Sequence, residues 1–190
     1  MTTSRRVSVW NVANVLTGLR LAAVPLFAWL LLHDHGRDTG WRLGAFLVFV
    51  AAALTDQIDG MLARRYGLIT DVGKVADPIA DKALMGTAMA LLSWLGELPW
   101  WVTAVVVFRE VAVTLLRLLV LERAVVPASR GGKAKTAAQA LAIGLYLLPV
   151  QGLPFSGPIH LAAVVAMAVA VVLTVVTGAD YTLRISRLLR

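Results

Sequence analysis

The sequence predicts an all-α integral membrane protein with six transmembrane helices. Hydrophobic residues fill 59% of the 190 positions, and charged residues fill only 15%. The mean hydropathy of +0.78 lies well above that of an ordinary soluble domain. Apolar stretches long enough to cross about 30 Å of hydrocarbon recur along the whole chain. We therefore expect one transmembrane domain that covers residues 1–190, with no separate soluble domain.

The apolar stretches give the six helices in chain order, and turn-forming segments separate several of them. The first stretch follows two arginines, but it contains Asn11, Asn14 and Arg20 and lacks a clear small-residue cleavage site. We therefore interpret it as a retained helix and not as a cleaved signal peptide. Segments rich in glycine and proline interrupt the pattern at 36–40, 96–99 and 151–158. The predicted helices are 11–32, 41–64, 75–95, 100–122, 135–148 and 158–183.

The distribution of basic residues predicts how the helices are oriented. The three turn-rich links on one side carry only Arg37. Most other lysines and arginines fall on the opposite side, so the positive-inside rule places both termini and the two longer links in the cytoplasm. The net charge of +7 arises at helix ends and not in a solvated run with interleaved aromatic residues. We expect a multi-pass protein of the cell membrane that contacts anionic lipids and no nucleic acid.

Four aspartates near the ends of the second and third predicted helices carry the most information. Asp56 and Asp59 lie three positions apart, and Asp77 and Asp81 lie four apart, so each pair projects from one helix face. An intramembrane carboxylate costs roughly 2.5–3.5 kcal/mol on insertion scales, so four require compensating cations and a function. If the two faces meet, their oxygens form a site that suits Mg²⁺, Mn²⁺ or Ca²⁺. The absence of cysteine excludes thiolate ligands.

Small and basic residues accompany these carboxylates. Gly60 and Gly73 allow a ligand or another helix to approach closely, and Ala63 keeps the same face narrow. Arg64 either neutralises the carboxylates or binds a phosphate. The alternative is a salt-bridged polar seam between two helices, but chance agreement with the full pattern is on the order of one in 10¹⁰ per starting position. The pattern is Asp56-x2-Asp59-Gly60-x2-Ala63-Arg64-x8-Gly73-x3-Asp77-x3-Asp81.

This pattern resembles the signature of the CDP-alcohol phosphotransferase family, and it matches that signature at every named position. The resemblance implies the six-helix membrane fold of that family, a homodimer, and two divalent ions, either Mg²⁺ or Mn²⁺. It also implies a reaction in which an alcohol displaces CMP from a CDP-linked donor. Asp81 would then be a metal ligand and the general base. The other implied metal ligands are Asp56, Asp59 and Asp77, and the implied CDP contacts are Gly60, Ala63 and Arg64.

Further stretches resemble the branch of the family whose acceptor is glycerol 3-phosphate. This resemblance implies CDP-diacylglycerol as the donor, and it covers residues 11–139. Ala13 stands where the family usually has proline, a difference that affects only a helix start, and the sixth helix has no discriminating motif. The stretches are Asn11-x2-Asn14-x-Leu16-Thr17-x2-Arg20, Asp77-Pro78-x-Ala80-Asp81-Lys82, Arg109-Glu110 and Gly132-Lys133-x-Lys135-Thr136-x2-Gln139.

The polar residues of these stretches are candidates for substrate binding. Asn14 and Thr17 either contact the donor, together with Gly73, or form interhelical hydrogen bonds worth about 1 kcal/mol each. Glycerol 3-phosphate is a soluble dianion, so its site needs several cations that face the cytoplasm. The acceptor-site candidates are Arg109, Arg117, Arg130, Lys133 and Lys135.

Several of these acceptor-site candidates also have a structural interpretation. Lys133 and Lys135 are suited to holding a loop against anionic lipid instead. Glu110 and Arg117 share a helix face seven positions apart, so they are candidate partners of each other or of other buried charges.

Two other functions compete with this interpretation. Within the family, the branch whose acceptor is phosphatidylglycerol has a similar Asp-Pro-x-Ala-Asp-Lys stretch. An inositol phosphate acceptor fits Pro78 and Lys82 less well. Outside the family, an ion or proton transporter would use the same intramembrane carboxylates. A transporter predicts carboxylates near the membrane midplane and an inverted repeat, and the sequence shows neither.

Overall fold

All regular structure in the described part of the chain is helical. The computed structural model describes residues 12–66, 71–120, 130–150 and 153–188. These ranges contain a 3₁₀ helix at His33–Gly36 and the α-helices α1 (Val12–Leu32), α2 (Thr39–Tyr66), α3 (Asp71–Trp94), α4 (Trp100–Val120), α5 (Arg130–Leu147) and α6 (Ser156–Leu188). The all-α prediction is confirmed for these residues, with one helix for each predicted span.

Several helices continue beyond the apolar stretches that predict them. α3 begins at Asp71 and not at position 75, and α5 begins at Arg130 and not at position 135. At the other end of the chain, α6 continues to Leu188, past the predicted end at position 183. Hydropathy marks only the apolar portion of a helix, whereas the backbone hydrogen bonds continue into polar residues until a breaker intervenes.

Two described segments are long and apolar enough to cross a membrane. They are Val15–Gly36 and Ser156–Leu183. The surface of α6 fits this finding, because a stripe of its large apolar side chains is more than half exposed. That stripe is Leu161, Val165, Val172 and Val176. An exposed apolar stripe of this length is unfavourable in water and typical of a lipid-facing helix. The crossing of the membrane by all six helices stays a prediction.

The chain divides into two compact units, residues 1–88 and 89–190. In the first unit α1 packs against α2. Phe27 and Phe49 are buried, and their ring centroids lie 6.0 Å apart. A Cβ atom placed on Gly44 would lie 3.6 Å from the Leu30 side chain, so a later position of α1 contacts an earlier position of α2. The two helices therefore form an antiparallel hairpin.

A left-handed turn joins α1 to α2. Within this turn, φ is positive at Asp34 (49°), His35 (53°) and Gly36 (71°). Non-glycine residues pay about 1–2 kcal/mol for this conformation, and aspartate tolerates it better than most. Asp38 Oδ1 accepts a hydrogen bond from the Trp41 amide at 2.9 Å and so caps α2. Arg42, which is 1% exposed, donates to the Gly36 carbonyl at 3.1 Å. The turn is thus held by side chains from its own immediate neighbourhood.

In the second unit α6 contacts both α4 and α5. Ile143, Leu147 and Met167 belong to its apolar core. At the start of this unit, the Ser93 and Thr103 hydroxyls lie 2.7 Å apart between the end of α3 and the start of α4. Because α6 lies against two helices, it is placed to fix the polar side chains that those helices turn inward.

Candidate active site

The helical backbone of α2 and α3 runs through both aspartate pairs. α2 contains Asp56 and Asp59, and α3 contains Asp77 and Asp81. Spacings of three and four residues in a helix correspond to adjacent turns on one face, as predicted. The side-chain positions at the four aspartates, and at Gly60, Ala63, Arg64 and Gly73, lie outside the described part of the structure. Their roles in metal and donor binding stay predictions.

The described part of α1 has a buried polar face. Thr17 and Arg20 lie three positions apart, and each is 2% exposed. Thr17 is a predicted donor contact, whereas Arg20 is part of a sequence motif and has no predicted role of its own. An arginine buried to this degree requires hydrogen-bonding or charged partners, because an isolated buried charge is very costly. The side chain of Asn14, the other predicted donor contact in α1, lies outside the described residues.

A basic cluster formed by Arg109, Glu110 and Lys135 lies between α4 and α5. The Glu110 Oε1 atom accepts a hydrogen bond from Arg109 at 2.9 Å and another from Lys135 Nζ. The Arg109 and Lys135 side chains are 15% and 6% exposed, and that of Glu110 is 23% exposed. One carboxylate oxygen therefore holds two cations side by side. The three side chains are mostly buried but remain partly exposed at the surface of the described structure.

Helix α6 completes the surroundings of this basic cluster. Arg109 donates from its second terminal nitrogen to the Thr177 hydroxyl at 2.8 Å. Beside it, a Cβ atom placed on Gly178 would lie 3.0 Å from Arg109 Nε, so the glycine makes room for the arginine. One turn earlier, Gln139 of α5 donates to the Thr174 hydroxyl at 2.9 Å, and both side chains are buried.

The structure brings together two of the five predicted acceptor-site residues. Arg109 and Lys135 share Glu110, while Lys133 is exposed at the start of α5. The side chains of Arg117 and Arg130 lie outside the described residues. Of the partners considered for Glu110, the described structure gives Arg109 and Lys135, which are other buried charges.

The sequence alone does not mark the α6 residues Thr174, Thr177 and Gly178 as functional. Threonine and glycine are common in membrane helices, and no motif marks them in this one. A weak signal was present, because the spacing of three and four residues places them on one helix face. The tertiary contacts show what this face does: Thr177 accepts a hydrogen bond from Arg109, and Thr174 accepts one from Gln139.

Comparison with known proteins gives one family along most of the chain. Residues 10–176 match the sequence profile of the CDP-alcohol phosphatidyltransferase family. The chain is 52% identical over 182 residues to a probable phosphatidylglycerophosphate synthase of Mycobacterium tuberculosis, with 96% of this chain and 85% of the relative covered. It is 38% identical over 183 residues to CDP-diacylglycerol–glycerol-3-phosphate 3-phosphatidyltransferase of Bacillus subtilis, with 91% and 94% covered.

A relative with a different name matches over a shorter stretch. The chain is 37% identical over 118 residues to a CMP-forming cardiolipin synthase of Streptomyces coelicolor, with 60% of this chain and 53% of the relative covered.

Proposed function

We propose that this chain, which belongs to the CDP-alcohol phosphatidyltransferase family, transfers the phosphatidyl group of CDP-diacylglycerol to sn-glycerol 3-phosphate. The products are phosphatidylglycerophosphate and CMP. The observation that carries this proposal is the extent of the similarity. A relative named as a probable phosphatidylglycerophosphate synthase aligns with 96% of the chain, and one named as a glycerol-3-phosphate 3-phosphatidyltransferase aligns with 91%. The relative named for cardiolipin synthesis aligns with only 60% of the chain.

The proposed reaction is a direct displacement at phosphorus. The 1-hydroxyl oxygen of glycerol 3-phosphate forms a bond to the phosphorus that carries diacylglycerol. The pyrophosphate bond to that phosphorus breaks, and CMP leaves with the bridging oxygen. The hydroxyl proton passes to the Asp81 carboxylate, which acts as the general base. Contacts to the CDP part of the donor are proposed for Asn14, Thr17, Gly60, Ala63, Arg64 and Gly73.

Two divalent cations, Mg²⁺ or Mn²⁺, are the proposed cofactors. Four carboxylates on two helices, in a chain without cysteine, form the all-oxygen donor set that such ions prefer. The proposed ligands are Asp56, Asp59, Asp77 and Asp81. Bound divalent ions would supply positive charge that stabilises the negative charge developing on the departing CMP.

The basic cluster is the proposed site for the phosphate of the acceptor. Its two cations are held by one carboxylate oxygen, so their positions are fixed before a ligand arrives. A guanidinium has five N–H donors, and Arg109 uses one on each terminal nitrogen for Glu110 and Thr177. Charge-assisted hydrogen bonds to phosphate are about twice as strong as neutral ones. Arg117, Arg130 and Lys133 are further proposed contributors from the same half of the chain.

The membrane arrangement proposed for the enzyme follows from its charge distribution. The family is membrane-embedded, and α6 has the apolar surface that such a location requires. We place the termini and the active site on the cytoplasmic side of the cell membrane, because most basic residues fall there by the positive-inside rule. Six spanning helices and a homodimer belong to the same proposal.

The test is CMP release by purified protein in lipid nanodiscs that contain CDP-diacylglycerol and Mg²⁺. Glycerol 3-phosphate, phosphatidylglycerol and inositol phosphate are supplied in parallel, and a chelator removes the metal in a matched reaction. We expect release that depends on glycerol 3-phosphate and stops without metal. Release that depends on phosphatidylglycerol instead would transfer the chain to the cardiolipin branch, and release with no acceptor-dependent component would contradict the proposal.

A further inference from the structure

We infer that α6 positions the cations of the acceptor site, with Thr177 and Gly178 as positioning residues for Arg109. This inference rests on the proposed function, in which Arg109 binds the phosphate of glycerol 3-phosphate. It assigns a role in acceptor affinity to a helix that has no recognisable motif. Three sets of contacts support it, and each involves a different residue of α6.

The first contact is the hydrogen bond between Arg109 and Thr177. A hydroxyl has one proton to donate, and the Thr177 hydroxyl directs it to backbone carbonyls of its own helix. Its Oγ1 atom lies 2.6 Å from the carbonyl oxygen of Leu173 and 3.3 Å from that of Thr174. Its lone pairs therefore face outward, where the Arg109 guanidinium donates at 2.8 Å. The direction of the hydroxyl is thus set by the helix, and the arginine is held at a defined place.

The second contact is the close approach of Arg109 to the backbone at Gly178. A Cβ atom at this position would lie 3.0 Å from Nε and 3.1 Å from Cγ of Arg109. Arg109 Nε is itself buried and has no hydrogen-bond partner in the described part of the chain. The middle of the arginine side chain therefore lies against α6, and any larger residue at 178 must displace it.

The third contact connects α6 to the lysine of the basic cluster. Gln139 lies one turn beyond Lys135 on α5, so the two side chains share a helix face. Gln139 donates to Thr174, whose hydroxyl proton goes to the Ala170 carbonyl at 2.6 Å. This repeats the arrangement at Thr177 and fixes the face of α5 that carries Lys135. Helix α6 therefore positions Arg109 directly and Lys135 through the neighbouring turn.

Displacement of these cations should raise the KM for glycerol 3-phosphate more than it changes the other kinetic constants. A small misplacement of a binding group costs up to about 10²-fold in rate or affinity. A methyl group at position 178 would require the Arg109 side chain to shift by a few tenths of an ångström, and this side chain is anchored at both terminal nitrogens. The affinity for CDP-diacylglycerol should change little, because its proposed contacts lie on α1 to α3.

The experiment compares glycine variants on two helices. Gly178→Ala is expected to raise the KM for glycerol 3-phosphate by about three- to tenfold, with the KM for CDP-diacylglycerol unchanged within about twofold. The matched control is Gly144→Ala on α5, where a Cβ would meet nothing within 4 Å. It should behave like the parent protein in both KM values. Equal values for Gly178→Ala and Gly144→Ala would overturn the inference.

A second pair of variants tests the hydroxyl without adding volume. Thr177→Val keeps the shape of the side chain and removes the hydroxyl oxygen that accepts the hydrogen bond from Arg109. The KM for glycerol 3-phosphate should therefore rise by about tenfold. Thr177→Ser keeps the hydroxyl and should restore the parent value. A rise of both KM values together, or no difference between Val and Ser, would show a purely structural role and overturn the inference. Acceptor-dependent CMP release by the parent protein tests the proposed function separately.

Discussion

Arg42 in the first unit and Arg109 in the second are both withdrawn from solvent, but they are held in different ways. Arg42 donates to the carbonyl of Gly36, which lies six positions earlier in the same turn. Arg109 donates to the adjacent Glu110 and to Thr177, which lies 68 positions later on another helix. The first contact forms whenever the turn forms, whereas the second requires α4 and α6 to be packed together.

This difference separates an arginine held within one turn of the fold from one that is held between helices and that we propose to serve a site. A locally held cation stabilises the element that contains it, so its loss should appear as lower stability. A cation held by distant helices is positioned only in the folded protein, where its place can matter to a ligand. Substitutions in the two regions should therefore change different measured quantities.

The largest effect should come from Asp81 of the first unit, the proposed general base. Asp81→Asn is expected to reduce kcat by about 10²- to 10⁴-fold, because the amide cannot accept the hydroxyl proton of the acceptor. Some binding of metal and donor should persist. The matched control is Asp34→Asn, at a left-handed position that asparagine also adopts readily. Steady-state CMP release measures both variants, and near-normal turnover by Asp81→Asn would refute its role as general base.

A smaller effect should distinguish the buried lysine of the second unit from its exposed neighbour. Lys135→Met should raise the KM for glycerol 3-phosphate by about 10- to 100-fold, because it removes a cation paired with Glu110. Lys133→Met should raise this KM by no more than about threefold, since the charge of an exposed side chain is screened by solvent. Initial rates at varied glycerol 3-phosphate measure both. A larger rise in this KM for Lys133→Met than for Lys135→Met would show that the exposed lysine, and not the buried one, binds the phosphate of glycerol 3-phosphate.

The smallest kinetic effect should come from the locally held arginine. Arg42→Met leaves the Gly36 carbonyl without this hydrogen bond, at a cost of about 1–3 kcal/mol in stability. The apparent thermal midpoint should fall by about 3–10 °C while the kinetic constants stay within about twofold. Arg37→Met, in the same turn but exposed, is the control and should have the parent midpoint. Lost activity in Arg42→Met without lost stability would remove the distinction between the two arginines.

The helices of this protein were largely predictable from the sequence because apolar stretches mark them directly. The starts of α3 and α5 were placed too late, since the charged residues at Asp71 and Arg130 do not register as apolar although the backbone there is helical. The left-handed turn at Asp34 and His35 was not predicted. Positive φ is uncommon at residues other than glycine, so the glycine at the end of this segment indicates a turn but not the left-handed conformation of the two residues before it.

The candidate site was predictable to the extent that its residues lie close together in the sequence. The aspartate pattern spans positions 56–81 and carries its own spacing rule. Arg109 and Lys135 were identified as candidates, and Glu110 was predicted to pair with Arg117 or with other buried charges. The pairing of Glu110 with Lys135 in particular was not predicted, because contacts across 25 positions have no periodic signature. The contacts of Thr177 and Gly178 with Arg109 could not be predicted, since nothing in the sequence near them indicates which side chain from another helix they contact.

The length of α6 bears on the depth in the membrane at which the proposed acceptor site lies. At about 1.5 Å per residue, its 33 residues extend about 50 Å, which exceeds the roughly 30 Å of hydrocarbon in a bilayer. Thr177 lies about 32 Å along the axis from Ser156 at the start of the helix. A helix that enters the hydrocarbon at Ser156 has therefore crossed it by Thr177. In that placement the Arg109 guanidinium would lie at the level of the lipid head groups, where the proposed acceptor, a water-soluble phosphate ester, would bind without leaving water.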